Sequence, residues 1–476
     1  MVDSGARAPE SGGQCRHPVA TAHSRQASVN RPVLPASPTP IHISCRDQPH
    51  PGCLCHRSGR PFSIRGAEQA LRDAAAGTNG DPIPRPLSIA VHFPSRMRPG
   101  EAAADEPHGE AYLARLRGEL ALLSPLFDRD RQVEQVHLIN QPLAHLAATR
   151  IRDLLDTLAH HFSFAVTGAA LRLVELDPLA TTTGDVAALA AIGINHAAIF
   201  IGVAASNAPD DPAIRAARTL IETCRQHGIV HVHVHLSAGD GPVAETPIRA
   251  IESVMAARVD RISLHHALRE PEAGADTGAS TFAPGRREAL FARLLEGGYR
   301  HVGLCCFALP HDELLEARRH RALHCDLLGY SAHPGSDLVG IGVGGNSHVG
   351  ATLFQNPRDP ASWEASIDAG RLPVWRAARL GAEDLARADV VQQLVCRGEI
   401  DFEEVARYHG IVFREHFSRA LERLQPLVTR GLAEFLPHGI RATSAGERHL
   451  HLVTACFDER HGDAIGTPPP HLARFP

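Results

Sequence analysis

The sequence predicts an α/β protein: an open (β/α) barrel followed by a small, mainly helical, winged-helix-like C-terminal domain. Segments with strand character alternate with segments of helical spacing from residue 85 to about residue 375, and beyond that only helices and a short hairpin are indicated. Such alternation is typical of a parallel sheet with right-handed crossovers. A chain of 476 residues that is 43% hydrophobic can bury the large core that this fold needs.

The individual elements follow from hydrophobic periodicity and from the Gly, Pro and Asp residues that separate them. Strands are predicted at residues 87–92, 133–139, 171–176, 197–203, 229–236, 261–265 and 301–306. Helices are predicted at residues 66–76, 109–126, 185–191, 213–226, 247–256 and 286–295, with another running through Leu154 and Leu158. The C-terminal region is predicted to contain helices at 385–397, 402–408 and 414–424 and hairpin strands at 432–436 and 440–443.

Four regions are expected along the chain. Residues 1–80 form an N-terminal extension and arm, which we expect to be largely disordered at 1–28 because Pro, Ser, Gly and Arg are frequent and no periodicity is sustained. Residues 81–375 form the barrel and 376–460 the helical cap domain. Residues 461–476 are expected to be a disordered tail.

The composition argues against several classes of function. All 48 basic residues are arginine, which rules out a Schiff-base lysine or a phosphate-loop lysine. A formal net charge of −5 gives no general attraction to nucleic acid, and no apolar stretch has membrane-spanning length. The ten cysteines are scattered and do not suggest a disulfide framework. We therefore expect a reduced, cytoplasmic monomer that acts on a small molecule.

Residues 229–236 alternate strictly between apolar residues and histidines. His231, His233 and His235 therefore share one strand face, which points into the barrel if the apolar face packs on the helices. A His-x-His pattern on a strand allows two imidazoles to converge on one ion, such as zinc, and His265 on the next strand is a further candidate ligand. The alternative is that these are hydrogen-bonded barrel histidines, in a chain that contains 31 of them.

Two other patterns have weaker functional interpretations. Cys45, Cys53 and Cys55 form a C-x7-C-x-C cluster whose spacing does not match a zinc knuckle, and we interpret them as incidental cysteines in a loose arm. The glycine-rich residues 340–345 follow no strand–helix nucleotide-binding pattern, so close packing of the backbone is the better interpretation. No G-x-S-x-G or Ser-His-Asp signature supports a hydrolase.

Several segments resemble the oxygen-independent coproporphyrinogen III oxidases, which are radical S-adenosylmethionine enzymes. The most specific are Gly329-Tyr330-Ser331, His333-Pro334, Asp337-Leu338-Val339-Gly340, Gln355-Asn356 and Asp368-Ala369-Gly370-Arg371-Leu372-Pro373-Val374. The resemblance runs from about residue 31 to residue 457 and implies a barrel of the radical S-adenosylmethionine type. It also implies tetrapyrrole contacts at Tyr330, His333, Asp337, Gln355 and Arg371, and a surviving cofactor-binding position at Glu175.

The sequence departs from this family where the cofactors bind. The family holds a [4Fe–4S] cluster on a CxxxCxxC loop after the first strand, and by position Arg96, Gly100 and Ala103 replace the three cysteines. The family's glycine-rich turn after the second strand reads Asn140-Gln141-Pro142, whose side chains would crowd S-adenosylmethionine. These losses together indicate that the radical chemistry has been abandoned.

Three hypotheses about function follow. The first is a non-radical paralogue that keeps the family's cavity and binds porphyrin or haem as a carrier, sensor or regulator of haem synthesis. The second is the family reaction, oxidative decarboxylation of coproporphyrinogen III to protoporphyrinogen IX, which would require Cys45, Cys53 and Cys55 to hold the cluster. The third is a metal-dependent enzyme centred on His231, His233 and His235.

Overall fold

The computed structural model describes residues 64–94, 106–165, 170–203, 211–238, 245–265 and 286–457. Several predictions lie outside these residues: the disorder at 1–28, most of the arm, the cluster of Cys45, Cys53 and Cys55, and the tail at 461–476. The loop that carries Arg96, Gly100 and Ala103 lies outside them too.

The described helices and strands agree closely with the predicted order. The helices are α1 (Ile64–Thr78), α2 (Glu106–Leu123), α3 (Ala148–His161), α4 (Thr183–Ala191), α5 (Pro212–Gln226), α6 (Glu245–Ala256), α7 (Arg286–Glu296), α8 (Glu313–Arg319), α9 (Pro360–Asp368), α10 (Ala382–Arg397), α11 (Phe402–His409), α12 (Phe413–His416), α13 (Ser418–Thr429), α14 (Ser444–Arg448) and α15 (Leu450–Ala455). The strands are β1 (Leu87–His92), β2 (Gln132–Ile139), β3 (Ser163–Phe164), β4 (Leu171–Leu176), β5 (His196–Val203), β6 (His231–Ala238), β7 (Arg261–His265), β8 (Arg300–Gly303), β9 (Cys306–Ala308), β10 (His324–Asp326), β11 (Gly329–Ser331), β12 (Asp337–Gly342), β13 (Asn346–Val349), β14 (Thr352–Gln355), β15 (Arg376–Arg379), β16 (Glu399–Asp401), β17 (Ala433–Leu436) and β18 (Gly439–Ala442).

A single large sheet forms the barrel. Its strand order is β15-β14-β13-β12-β1-β2-β4-β5-β6-β7-β9-β8, with β3 paired to β2. The central run from β12 to β7 is parallel, whereas β13, β14 and β15 on one side and β9 and β8 on the other are antiparallel. Among the described strands the two ends of this order, β15 and β8, do not pair, so the barrel is open as predicted.

Strand β1 is buried on both faces, which explains its nearly continuous apolar sequence. Every residue of β1 is buried, and Ile89 and Val91 belong to the same core as Leu116 and Leu120 of α2. This packing fixes the carboxyl ends of β1, β2 and β4 beside one another, where a barrel of this kind carries its chemistry.

Residues 301–306 were predicted as one strand, and that prediction is wrong. The segment forms the antiparallel pair β8 and β9, with a turn in which Leu304 adopts a positive φ of 46°. A Cβ on Gly303 would lie 2.2 Å from the Tyr330 hydroxyl and 2.5 Å from the Val395 carbonyl oxygen, so the chain turns where only glycine fits. The run contains no Pro, Asn or Asp to indicate the turn, which explains the error.

The C-terminal region is mainly helical, as predicted, and carries a small sheet in the order β16-β18-β17. The predicted helix at 414–424 is divided into α12 and α13 at Phe417. The large sheet continues through β15 to Arg379, beyond the predicted domain boundary at 375, because β15 pairs with β14. Within the described ranges, no helix is both long and apolar enough to cross a membrane.

Candidate ligand-binding cleft

The concave face of the sheet encloses a cleft, which we call the inner cleft. Its empty space, including the solvent at its mouth, is about 1200 Å³. Alternate residues of β2, β4, β5, β6 and β7 form one wall, and the β8–β9 turn and the β10–β11 hairpin form the other. The polar side chains that line it include Gln135, His137, Glu175, His233, His235, Arg261, Ser263, Glu313, Asp326 and Tyr330.

The histidine strand β6 alternates as predicted, but its three histidines do not share one environment. His233 and His235 line the inner cleft, with ring centroids 4.0 Å apart. His231 instead stacks on His196 of β5 at 4.4 Å with the rings nearly parallel. The Nε2 atom of His233 lies 2.8 Å from the Ser263 hydroxyl, and His235 stacks on Phe200 at 4.4 Å.

These positions do not form a metal centre among the described side chains. Within that part of the chain, no three His, Cys, Asp or Glu residues are placed to hold a metal ion. His265 belongs to β7, but its side chain lies outside the described residues. A zinc site on His231, His233, His235 and His265 therefore stays a prediction.

Burial keeps other imidazoles near the cleft neutral. The pKa of His137 is lowered to about 4, first by burial and then by the electrostatic influence of the neighbouring His333 and Arg261 side chains. The pKa of His196 is lowered to about 3, again mainly by burial, with a further contribution from His231. The neutral imidazole is the form that binds metals, so His137 is available as a ligand at physiological pH.

Arg261 is the only arginine among the described residues that line the inner cleft. Its Nε lies 2.8 Å from Asp312 and one terminal nitrogen lies 2.8 Å from Glu313. Burial alone would lower the pKa of Arg261, but these two carboxylates outweigh it and raise the pKa. The cleft thus contains one permanent positive charge, held by two acidic neighbours.

The turn after β2 stands where the resemblance expects the glycine-rich turn that approaches S-adenosylmethionine. Asn140 and Gln141 both have left-handed backbone conformations, with φ of 67° and 55°, which glycine adopts more readily. The Asn140 backbone N–H donates to the Glu175 carboxylate at 2.6 Å, and its side-chain amide donates to the Phe93 carbonyl at 2.9 Å. Asn140 therefore ties together the carboxyl ends of β1, β2 and β4, and Glu175 is engaged by this turn.

The described residues do not fit an iron–sulfur cluster. The six described cysteines are all buried. Burial raises the pKa of the Cys306 and Cys396 thiols to about 12. Within the described ranges, no three His, Cys, Asp or Glu side chains are grouped so that they could hold a metal ion. The three positions at which the sequence predicts replaced ligands lie in the loop outside the described residues, so their replacement stays a prediction.

Of the predicted tetrapyrrole contacts, Tyr330 lines the inner cleft and donates its hydroxyl hydrogen to the Val395 carbonyl at 3.0 Å. His333 is one-third exposed, and its Nδ1 lies 3.4 Å from Glu134. Arg371 is exposed just after α9. Of these three residues, the structure brings only Tyr330 to the cleft wall.

The other two predicted contacts are engaged elsewhere. Asp337 begins β12, at the amino edge of the parallel strands, and pairs with Arg131 at 2.6 Å, with both side chains almost fully buried. Gln355 ends β14 and accepts a hydrogen bond from Arg376. Neither lines the inner cleft: Asp337 lies at the amino edge of the parallel strands, and Gln355 lies on a strand of the antiparallel flank.

Sequence reasoning missed Glu119, a fully buried carboxyl on α2. It accepts hydrogen bonds from the Gly342 N–H, the Asn356 amide and the Trp363 indole, yet burial raises its pKa to about 8. Its place on the apolar face of α2, with Leu116 one turn and Tyr112 two turns before it, was the signal available. The close packing predicted for the glycine-rich turn is confirmed, because a Cβ on Gly342 would lie 2.2 Å from the His92 carbonyl oxygen.

Arg261 and Ser263 were also missed as cleft residues. Both alternate with apolar neighbours on β7, in phase with His265, so the same period-two reasoning that singled out the histidines of β6 would have placed them inward.

Comparisons with known proteins support the resemblance seen in the sequence. No family model matches the chain. It is 28% identical over 416 residues to the oxygen-independent coproporphyrinogen III oxidase of Pseudomonas aeruginosa, covering 82% of this chain and 88% of that protein. It is 26% identical over 419 residues to the protein of the same name from Escherichia coli K12, covering 83% and 90%. The solved structure of the Escherichia coli enzyme, described as a radical SAM enzyme, superposes with a TM-score of 0.73 at 26% identity and covers 84% of this chain and 95% of that one.

Proposed function

We propose that this homologue of the oxygen-independent coproporphyrinogen III oxidases binds a porphyrin or haem in the inner cleft and does not perform radical chemistry. The observation that carries the proposal is that the positions expected to bind the cofactors differ from the family, whereas the barrel still encloses a cleft. Arg96, Gly100 and Ala103 stand where the cluster ligands are expected, and Asn140 fills the turn that would approach the cofactor. The cleft inside the barrel is nevertheless retained.

The walls of the inner cleft suit a flat, largely apolar macrocycle. Phe200, Leu173 and Leu304 contribute apolar surface for the macrocycle, and polar side chains between them can orient a bound ligand. The neutral imidazole of His137 adds a group that can bind the iron of haem. A tetrapyrrole is also the substrate class in the names of the relatives, which motivates the choice of ligand.

A protein with such a site would act in haem biosynthesis as a carrier, sensor or regulator. It would present its ligand to another protein or change its own stability when the ligand is present. The decarboxylation performed by the relatives is the alternative, and it would need a cluster on residues other than those described.

The direct test is a titration of the full chain with coproporphyrin III, protoporphyrin IX and haem, followed by thermal unfolding. A ligand that binds the native state raises Tm, and at a hundredfold excess over Kd it stabilises by about 2.7 kcal/mol. We expect at least one tetrapyrrole to raise Tm and to perturb its own absorption spectrum. Leu173→Trp, which fills the cleft wall, should abolish the shift, and Leu179→Trp, at an exposed position outside the cleft, is the matched control. No shift with any tetrapyrrole would reject the proposal.

A further inference from the structure

Arg261, which lines the inner cleft, forms ion pairs with two carboxylates that differ in their exposure to solvent. Asp312 is 1% exposed and is held in place as the N-cap of α8, where it accepts the Leu314 N–H at 2.8 Å. Glu313 is 42% exposed, although it contacts the same arginine at 2.8 Å. Asp312 is therefore a fixed partner of Arg261, whereas Glu313 can leave for solvent at small cost.

We infer that Arg261 is the carboxylate-recognition residue of the cleft and that Glu313 is an internal substitute which a ligand carboxylate displaces. This inference rests on the proposed function and deepens it by specifying a tetrapyrrole with a free carboxylate at its edge. An arginine presents a planar set of donors that can hold a carboxylate through two parallel hydrogen bonds. Asp312 binds through Nε and Glu313 through a terminal nitrogen, so displacement of Glu313 leaves the fixed pair intact.

The surrounding charges favour one such carboxylate rather than several. Glu175 accepts the Asn140 N–H, and burial raises the pKa of Asp326, which favours its neutral form. Arg261 is the single permanent cation among the described lining residues, in a chain without lysine. An ester of the same tetrapyrrole would fill the cleft equally well but could not displace Glu313.

The test compares coproporphyrin III with its tetramethyl ester, bound to the full chain in the same detergent and followed by porphyrin fluorescence. We expect the free acid to bind wild type about tenfold more tightly than the ester, because a charge-assisted hydrogen bond is lost with the ester. Glu313→Gln should tighten binding of the free acid by about threefold to fivefold, the worth of a half-exposed ion pair, and leave the ester unchanged. Glu316→Gln removes the same charge from an exposed position on α8 and should change neither.

Arg261→Gln should remove the preference for the free acid while the ester still binds. If that variant fails to fold, because Asp312 is then buried without its partner, the comparison of Glu313→Gln with Glu316→Gln is sufficient to test the inference. Equal affinities of wild type for acid and ester, or equal effects of Glu313→Gln on both, would overturn the inference and leave the proposed function standing. Failure of every variant to bind either compound would reject both.

Discussion

Arg131 and Arg261 each pair with an aspartate at the start of a strand or helix, but their surroundings differ. Arg131 is 1% exposed, and each of its three side-chain nitrogens donates a hydrogen bond inside the protein, to Asp337, Thr78 and the Arg85 carbonyl. Arg261 has one buried partner, Asp312, and one half-exposed partner, Glu313, and it faces the inner cleft. Arg131 and Asp337 are thus fully enclosed at the amino edge of β12, and we call them the closed pair. Arg261 keeps one partner, Glu313, that a ligand can replace, and we call Arg261 and Glu313 the open pair.

This difference shows that a residue in a family-like segment can have a structural role. Asp337 lies within one of those segments, and its two carboxylate oxygens accept hydrogen bonds from Arg131 and from the Gly350 N–H; its tetrapyrrole contact stays a prediction. A residue can be retained because the sheet needs it. Arg261 attracted no notice in the sequence but is the charged group of the cleft.

The largest effect expected from this comparison is on stability at the closed pair. Arg131→Met leaves the Asp337 carboxylate buried without its partner and should lower the free energy of unfolding by about 3 to 5 kcal/mol. Urea unfolding of the variant measures the loss. The double variant Arg131→Met with Asp337→Leu should recover much of it, since the buried charge is removed as well; a double variant no more stable than the single one would contradict this account of the pair.

A smaller effect is expected on the pH dependence of stability through His137. Its folded pKa of about 4 lies below its unfolded value of 6.5, so the unfolded chain binds the proton more readily between these values. Stability is therefore lost as the pH falls from 6.5 towards 4, by up to about 3 kcal/mol for this residue. The free energy of unfolding of His137→Gln relative to wild type, measured at pH 7.5 and pH 4.5, isolates this contribution. His227→Gln, on a residue at the end of α5 outside the cleft, is the control, and parallel pH profiles for His137→Gln and wild type would contradict the assignment.

The smallest effect is expected at the open pair. Glu313→Gln should change the free energy of unfolding by less than about 1 kcal/mol, because the carboxylate is half exposed and Asp312 still neutralises Arg261. Denaturant unfolding beside Glu316→Gln provides the measurement. A loss as large as that of Arg131→Met would show that Glu313 is part of the core, and the distinction between the open and closed pairs would fail.

Much of the fold could be predicted because hydrophobic periodicity is a property of the local sequence and needs no tertiary information. The limits of β1, β4 and β7 agree with the predicted strands, since buried apolar runs end at polar or glycine residues. The β8–β9 turn could not be predicted, because Tyr330 and Val395, whose close approach leaves room only for glycine at position 303, are distant in sequence.

The candidate site was predicted less completely for the same reason. Alternation placed His233 and His235 inward, but it could not show that His196 on the neighbouring strand takes His231 as a stacking partner. The pairing of Arg261 with Asp312 joins residues 51 positions apart, and no local pattern indicates it.

The most direct test of the central claim is the iron and sulfide content of the protein after anaerobic purification and reconstitution with iron and sulfide. We expect no stoichiometric iron or sulfide and no broad absorption near 400 nm. About four irons per chain with matching sulfide, lost on combined substitution of Cys45, Cys53 and Cys55 by serine, would contradict the claim and restore the radical reaction of the relatives.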